Sequence, residues 1–189
     1  MLYLNQLDYA HVPYFHNTDN GGPPEGRISV KTSGCGLCCA CMIVEHLTTH
    51  SLSIEDCVRL SESTGANHGI GTDMKILAPV ISDMFGLEFS HTTDREEMIR
   101  HLQSGGEIIA HVGCKGDKPG LFTKRGHYIT VISVDRNEVC ILDPSYSETK
   151  FETEDRRGRV RINAPFIYCT IDTLMGEIKG NGFYMFKRA

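Results

Sequence analysis

Hydrophobic and polar positions follow one spacing in the first half of this chain and another in the second half. Apolar residues recur three or four positions apart over residues 35–47, which predicts a helix there. Capping residues and closing glycines indicate three further helices: one begins after Ser53, one runs from Thr72 or Asp73 to about Phe85, and one runs from a capping box at Thr93–Glu96 to about Gln103. Residues 1–34 show no regular pattern and are predicted to be irregular, with a loop at 17–26.

Strand-forming residues dominate from residue 107 onward. The predicted strands are 107–112, 127–134, 139–142, 160–162 and 182–186, with 166–170 as a further candidate and a short helix at 171–178. Because helices come first and strands later, the pattern favours an α+β fold over an alternating chain of strands and helices. We predict one domain over residues 1–189, with a helical part at about 35–104 and an antiparallel sheet part at about 107–189.

Composition and charge narrow the possible partners. The chain has 189 residues and a net charge of -5, and its one basic run, at residues 155–161, is too narrow for a nucleic-acid surface. No apolar run approaches the ~20 residues that a membrane-spanning helix needs. Residues 1–6 lack the charged and apolar regions of a signal peptide; the alternative is a mature form of a secreted protein whose leader has been removed. We therefore expect no nucleic-acid partner and no membrane span.

Eight cysteines are many for a chain of this length, and Cys35, Cys38, Cys39 and Cys41 fall within seven positions. Adjacent positions on a short helix point in different directions, so we expect reduced thiols in a reducing compartment and hence a cytoplasmic location. CxxC spacing occurs twice in this run, but no second ligand pair follows downstream, so we predict no metal and no cofactor. The three later cysteines are expected to pack in the helix, or alternatively to protect or resolve an oxidised Cys35.

Cys35 is the first candidate for chemistry. It opens the first predicted helix and lies between Gly34 and Gly36. Free backbone N–H groups and the helix dipole at this position favour a thiolate, and the same N–H groups can hold an oxyanion. The alternative is a small buried cysteine at a tight turn, which is the commoner situation for a single cysteine.

His127 and Asp143 are the candidate partners of Cys35. His127 begins a predicted strand, whereas Asp143 ends the next strand immediately before Pro144. Residues 135–138 are turn-like, which predicts an antiparallel hairpin whose open end carries both side chains. A base that is oriented by a carboxylate is what a thiol nucleophile requires. Taken singly, His127 could be an ordinary strand-end histidine, and Asp143 a turn aspartate before proline.

The register of this hairpin decides whether the two side chains can meet. If Val134 pairs with Val139 in a regular ladder, the histidine and the aspartate point to opposite faces, because side chains alternate with a period of two. Pairing of Ile129 with Asp143 places both on one face. We therefore predict an odd-length turn or a β-bulge at residues 135–138.

Gln6 is the fourth candidate. Its side-chain amide can donate an N–H to an oxyanion alongside the backbone N–H of Cys35. A glutamine this close to a terminus is more commonly only solvated. Four further histidines are assigned no role; they are His68, His91, His101 and His111.

Four segments together resemble the papain-like cysteine peptidases of the bacteriocin-leader-processing type, and in particular their broad peptidase-like relatives. The segments are Gln6–Tyr9, Ser33–Leu37, Gly126–Tyr128 and Leu142–Pro144. The similarity extends over roughly residues 3–145. The resemblance implies a papain-like fold in which Cys35 is the nucleophile, His127 the base, Asp143 its orienting partner and Gln6 an oxyanion donor.

The sequence departs from this pattern in one respect. In the leader-processing peptidases the glutamine lies a few residues before the cysteine, whereas Gln6 lies far upstream of Cys35, so cleavage at a double-glycine leader is not implied. The Cys35–Leu37 segment also resembles the nucleophile of phytochelatin synthase. We predict a cysteine peptidase or amidohydrolase acting on a peptide or small amide; the alternatives are a phytochelatin-synthase-like acyltransferase or transpeptidase and a non-catalytic peptide-binding module.

Overall fold

The computed structural model of the protein describes residues 1–15, 28–68, 71–114 and 120–189. The predicted loop at 17–26 therefore lies outside the described residues, as does part of the long connection after residue 114. The helices are a short 3-10 helix at Gln6–Asp8 and six α-helices: α1 (Val30–Ser33), α2 (Cys35–Leu47), α3 (Ile54–Thr64), α4 (Met74–Phe85), α5 (Arg95–Gln103) and α6 (Ile171–Glu177). The strands are β1 (Leu87–Thr92), β2 (Glu107–Gly113), β3 (Gly126–Asp135), β4 (Glu138–Leu142), β5 (Arg161–Asn163), β6 (Phe166–Thr170) and β7 (Ile178–Arg188).

Local capping signals account for the helix boundaries. The Ser53 side chain accepts the backbone N–H of Asp56 at 3.1 Å at the start of α3. Asp73 caps α4 in the same way through the N–H of Lys75, and Gly86 ends that helix with a left-handed φ of 64°. These boundaries confirm the predicted helices. α4 also runs through Pro79 without a break.

Three details of the prediction were wrong. Residues 1–34 are not wholly irregular, because they contain the 3-10 helix and α1. The N-cap of α5 is Asp94 rather than Thr93, since the Asp94 carboxylate accepts the Glu97 N–H at 2.8 Å. β1 was not predicted, because this short edge strand has only two apolar residues, Leu87 and Phe89, which three polar residues follow.

All seven strands form one antiparallel sheet in the order β1-β7-β2-β3-β4-β6-β5. Helices α2 and α4 pack against one face of the sheet, and α3 packs against these two helices. The core on this side includes Leu37, Ile43 and Tyr184. Helices α5 and α6 contribute Met98 and Leu174 to a second core cluster. The helical lobe therefore packs on a later antiparallel sheet, as predicted, with two helices added to the second cluster.

The β3–β4 hairpin contains the predicted β-bulge at a different place. Val134 pairs with Val139 across a two-residue turn, but the register then shifts between Val131 and Ser133. Beyond the shift Thr130 pairs with Leu142, and continuation of that register places residue 129 opposite residue 143. The bulge is therefore at residue 132 and not at 135–138, because the turn itself is regular. The single extra residue changes the face on which later side chains lie.

Candidate active site

Cys35 is the first residue of α2 and follows directly on α1, with Gly34 between the two helices. A Cβ on Gly34 would come within 2.4 Å of a Val30 methyl group, and a Cβ on Gly36 within 2.9 Å of Thr72 Cβ. Both glycines are thus required by close packing of backbone and neighbouring side chains. Cys35 is nevertheless partly exposed as a residue, and it lines a cleft.

His127 and Asp143 lie in contact, as the bulged register requires. The distance from His127 Nε2 to Asp143 Oδ1 is 2.8 Å, and both residues are buried. Cys35 also forms a side-chain hydrogen bond with His127. Since Nε2 faces the carboxylate, Nδ1 is the ring nitrogen left for the thiol. The structure thus brings together three residues that are up to 108 positions apart along the chain.

The pKa values of the three groups are shifted in the directions that favour an ion pair. Burial alone would raise the pKa of the Cys35 thiol, but the hydrogen bond and charge of His127 outweigh it and lower that pKa. Burial alone would lower the pKa of His127, whereas Asp143 and Cys35 together raise it. Burial would raise the pKa of Asp143, but the charges of Lys150 and His127 hold it far below its usual range.

Gln6 lies at the same cleft and is buried. Its backbone N–H donates to the Pro144 carbonyl at 2.6 Å, which attaches the 3-10 helix to the loop after Asp143. Its side-chain Nε2 donates to the Lys31 carbonyl at 2.7 Å. An amide nitrogen carries two N–H groups, so one remains for a ligand in the cleft. Gln6, the fourth predicted residue, therefore lies at the same cleft as the other three. One of its two amide N–H groups is already hydrogen-bonded to the Lys31 carbonyl.

Two further residues surround the carboxylate and were not predicted. The ammonium of Lys150 lies 2.5 Å from Asp143 Oδ2 and 2.6 Å from Ser145 Oγ, and its side chain is only 8% exposed. Ser145 Oγ in turn lies 3.1 Å from both His127 Nε2 and Asp143 Oδ1. Neither residue carries a recognisable motif, since both come from the irregular segment after β4.

The cleft has a volume of about 890 Å³ and is bordered by the start of α2, the start of α4 and the ends of β2, β3 and β7. Cys114, the other partly exposed cysteine, also lines it. All eight cysteines are free thiols. Cys38, Cys39 and Cys41 are buried in the core, as their packing role predicts. No group of three metal-ligating side chains occurs among the described residues.

A helix that begins at a cleft cysteine, packed on an antiparallel sheet with a histidine and an aspartate at adjacent strand ends, defines the papain-like class. The sequence matches the Peptidase C39 family over residues 28–156, well over half of the chain. The chain therefore belongs to the peptidase C39 family, which is a family of cysteine peptidases. This confirms the predicted family resemblance. No curated protein matches the sequence.

Two solved structures are similar in fold. The peptidase domain of Streptococcus ComA, described as a bi-functional ABC transporter involved in a quorum sensing pathway, is 17% identical with a TM-score of 0.54, over 82% of this chain and 91% of that one. A putative C39-like peptidase from Bacillus anthracis is 11% identical with a TM-score of 0.60, over 100% of this chain and 94% of that one. In the part of the chain that the structure describes, no helix could cross a membrane.

Proposed function

We propose that this protein hydrolyses peptide bonds through a thioester on Cys35, with His127 as general base and acid, Asp143 as its orienting partner and Gln6 as an oxyanion donor. The observation that carries the proposal is the position of the His127 ring, which is hydrogen-bonded to the thiol on one side and to the carboxylate on the other. Family membership supports peptide substrates.

In the first half of the reaction, the Cys35 thiolate attacks the carbonyl carbon of the scissile bond. The negative charge that develops on the oxygen is held by the backbone N–H of Cys35 and the second N–H of Gln6. The protonated His127 ring then gives its Nδ1 proton to the departing amine, and the C–N bond breaks. The products of this half are a thioester on Cys35 and a free amine.

In the second half, a water molecule attacks the thioester and His127 Nδ1 takes its proton. Collapse of the tetrahedral intermediate releases a carboxylic acid and restores the thiolate–imidazolium pair. Asp143 orients the ring, because its Oδ1 lies 2.8 Å from Nε2. The comparisons give no support to the acyltransferase or peptide-binding alternatives.

The same eight free thiols support our proposal of a reducing, cytoplasmic setting. Fractionation of the source cells, with a redox-trapping alkylation before lysis, tests it. Thiols found oxidised in an extracytoplasmic fraction would contradict this location.

Selective labelling of Cys35 tests the proposed chemistry. With limiting iodoacetamide at pH 7, we expect Cys35 to be alkylated at least tenfold faster than Cys114, which lines the same cleft without contacting His127 in any described interaction. Peptide mass mapping reads both sites in one sample.

We also expect Cys35→Ala to abolish peptide hydrolysis with little change in Tm, whereas Cys114→Ala retains peptide hydrolysis. Equal labelling of the two thiols would contradict the proposal.

A further inference from the structure

The cleft carries an excess of positive charge in a chain that is acidic overall. The whole chain has 24 acidic and 19 basic residues, apart from histidine. Among the described residues, in contrast, the cleft walls carry four cations and one carboxylate: Lys75, Lys124, Arg125 and Lys179 against Asp73. None of the four cations forms an ion pair within the described residues. A cleft lined by one sign of charge concentrates ligands of the opposite sign.

Lys179, near the start of β7, differs from the other three cations. They are exposed, so that water and salt screen their charges, whereas Lys179 is half-buried. A Cβ on Gly113 would lie 2.5 Å from Cδ and Cε of Lys179, so the aliphatic stem of the lysine crosses directly over Gly113. This packing restricts the stem and keeps the ammonium at the cleft.

The charges of both Lys179 and His127 act on the ring of His111. Burial, followed by the charges of Lys179 and His127, lowers the pKa of His111 to about 4, so the ring is neutral near pH 7. Its Nδ1 is buried and has no hydrogen-bond partner among the described residues. A Cβ on Gly126, the residue before His127, would lie 3.4 Å from its Nε2. The charge of Lys179 therefore reaches the part of the cleft wall that carries His111 and His127, the proposed base.

We propose that this cleft selects substrates with a carboxylate close to the scissile bond and that Lys179 determines this preference. The inference rests on the proposed peptidase function of the same cleft. An ammonium whose stem is held in place at the cleft can bind a carboxylate through short charge-assisted hydrogen bonds. The carboxylate comes from an aspartate or glutamate side chain or from the C-terminus of the peptide, and its chemistry is the same in both.

A pair of reagents that differ in charge tests the preference without knowledge of the natural substrate. Iodoacetate is anionic and iodoacetamide is neutral, and each forms an S–C bond with the Cys35 thiolate while iodide leaves. Because the protonated His127 ring attracts iodoacetate in every variant, the quantity to compare is the rate ratio of the two reagents between variants. The test variant is Lys179→Glu, and the control is Lys187→Glu. Both residues lie on β7 and both substitutions make the same charge change, but Lys187 does not line the cleft.

We expect Lys179→Glu to lower the iodoacetate-to-iodoacetamide ratio at Cys35 roughly fivefold, and Lys187→Glu to leave it within about twofold. The effect of Lys179→Glu should shrink with added salt. An unchanged ratio in Lys179→Glu would overturn the preference while leaving the peptidase proposal intact. A Cys35 no more reactive than Cys114 would instead remove the peptidase proposal, so the two failures are distinguishable.

Peptide pairs distinguish the two sources of the carboxylate. Peptides with Glu or Gln beside the scissile bond, each with a free or an amidated C-terminus, are bound to the Cys35→Ala variant and followed by fluorescence anisotropy. Tighter binding of the Glu peptides regardless of the terminus identifies a side-chain carboxylate, and tighter binding of the free-terminus peptides identifies a terminal one. Equal affinities across the set, with and without Lys179→Glu, would overturn the inference.

Discussion

At the scale of single residues, the lowered pKa of the Cys35 thiol depends on His127 overcoming the effect of burial. In His127→Ala, burial remains while the opposing hydrogen bond and charge are lost, so the thiol pKa rises. We expect the iodoacetamide rate at pH 7 to fall at least tenfold and the midpoint of its pH profile to move upward. His50→Ala, which changes an exposed histidine, is the control and should retain the wild-type profile.

Lys150 compensates the buried charge of Asp143. In Lys150→Met, the carboxylate loses the ammonium 2.5 Å away, and we expect the free energy of unfolding to fall by roughly 3–5 kcal/mol at pH 7. The double variant with Asp143→Asn removes both charges and should be more stable than Lys150→Met alone. Urea denaturation of the wild type, the two single variants Lys150→Met and Asp143→Asn, and the double variant measures this coupling. Additive losses of unfolding free energy would contradict it.

The pH dependence of that pair has a defined sign. The folded-state pKa of Asp143 is lowered, so the pair stabilises the protein above the ordinary aspartate pKa of about 4, and the stabilisation is lost as the pH falls through the folded value. In Lys150→Met the carboxylate can take up a proton more easily. The penalty of that variant should therefore be smaller at pH 4.5 than at pH 7.

At the scale of elements, the start of α2 is fitted closely against the residues that precede α4. Gly36→Ala would force Thr72 away, because the new Cβ would lie 2.9 Å from the threonine Cβ. We expect a loss of roughly 1–3 kcal/mol in unfolding free energy. The control is Gly176→Ala in α6, where no atom lies within 4 Å, and there we expect a gain of up to about 1 kcal/mol. Thermal denaturation compares the two.

The same elements show what the sequence could predict. Helix boundaries were predicted because caps such as Ser53 and Asp73 act over three or four residues. The need for a β-bulge followed from the parity of the hairpin, but its position did not, because Ile132 is a typical strand residue. β1 is a polar edge strand whose pairing with β7 is set by contacts almost 100 residues apart in sequence.

Some residues of the candidate site could be predicted from the sequence, and others could not. Cys35, His127 and Asp143 are recognisable because glycines, strand ends and a proline mark them locally. Lys150 reaches the carboxylate from an irregular segment, and Lys179 reaches the cleft from a distant strand, so only the folded structure reveals them. Local pattern predicts the groups that react, whereas long-range packing supplies the charges around them.

At the scale of the whole molecule, three histidines make the stability of the fold depend on pH in opposing directions. The pKa of His46 is raised because the hydrogen bond and charge of Glu107 outweigh burial, and the pKa of His127 is raised as well, so both stabilise the fold below pH 6.5 and lose that effect as the pH rises through their folded values. His111 acts in the opposite sense, because its pKa is lowered to about 4. Its contribution to stability falls as the pH decreases from 6.5 to 4.

Replacement of His111 should therefore change the acid stability of the whole protein. Relative to wild type, we expect His111→Gln to gain on the order of 1–2 kcal/mol of unfolding free energy on going from pH 7.5 to pH 4.5, a figure reduced for partial exposure. The difference between the two proteins at pH 7.5 serves as the reference. Parallel stability curves from pH 7.5 to 4.5 would contradict the prediction.

The first residues of the chain hold the loop that carries Asp143. Tyr3 donates its hydroxyl to the Asp143 carbonyl at 2.8 Å, Asn5 donates to the Tyr146 carbonyl at 2.8 Å, and Gln6 donates to the Pro144 carbonyl. These residues leave the ribosome some 140 residues ahead of their partners. During synthesis the candidate site therefore cannot be completed until residues 143–146 have been translated, because residues 3, 5 and 6 have no partners in that loop before then.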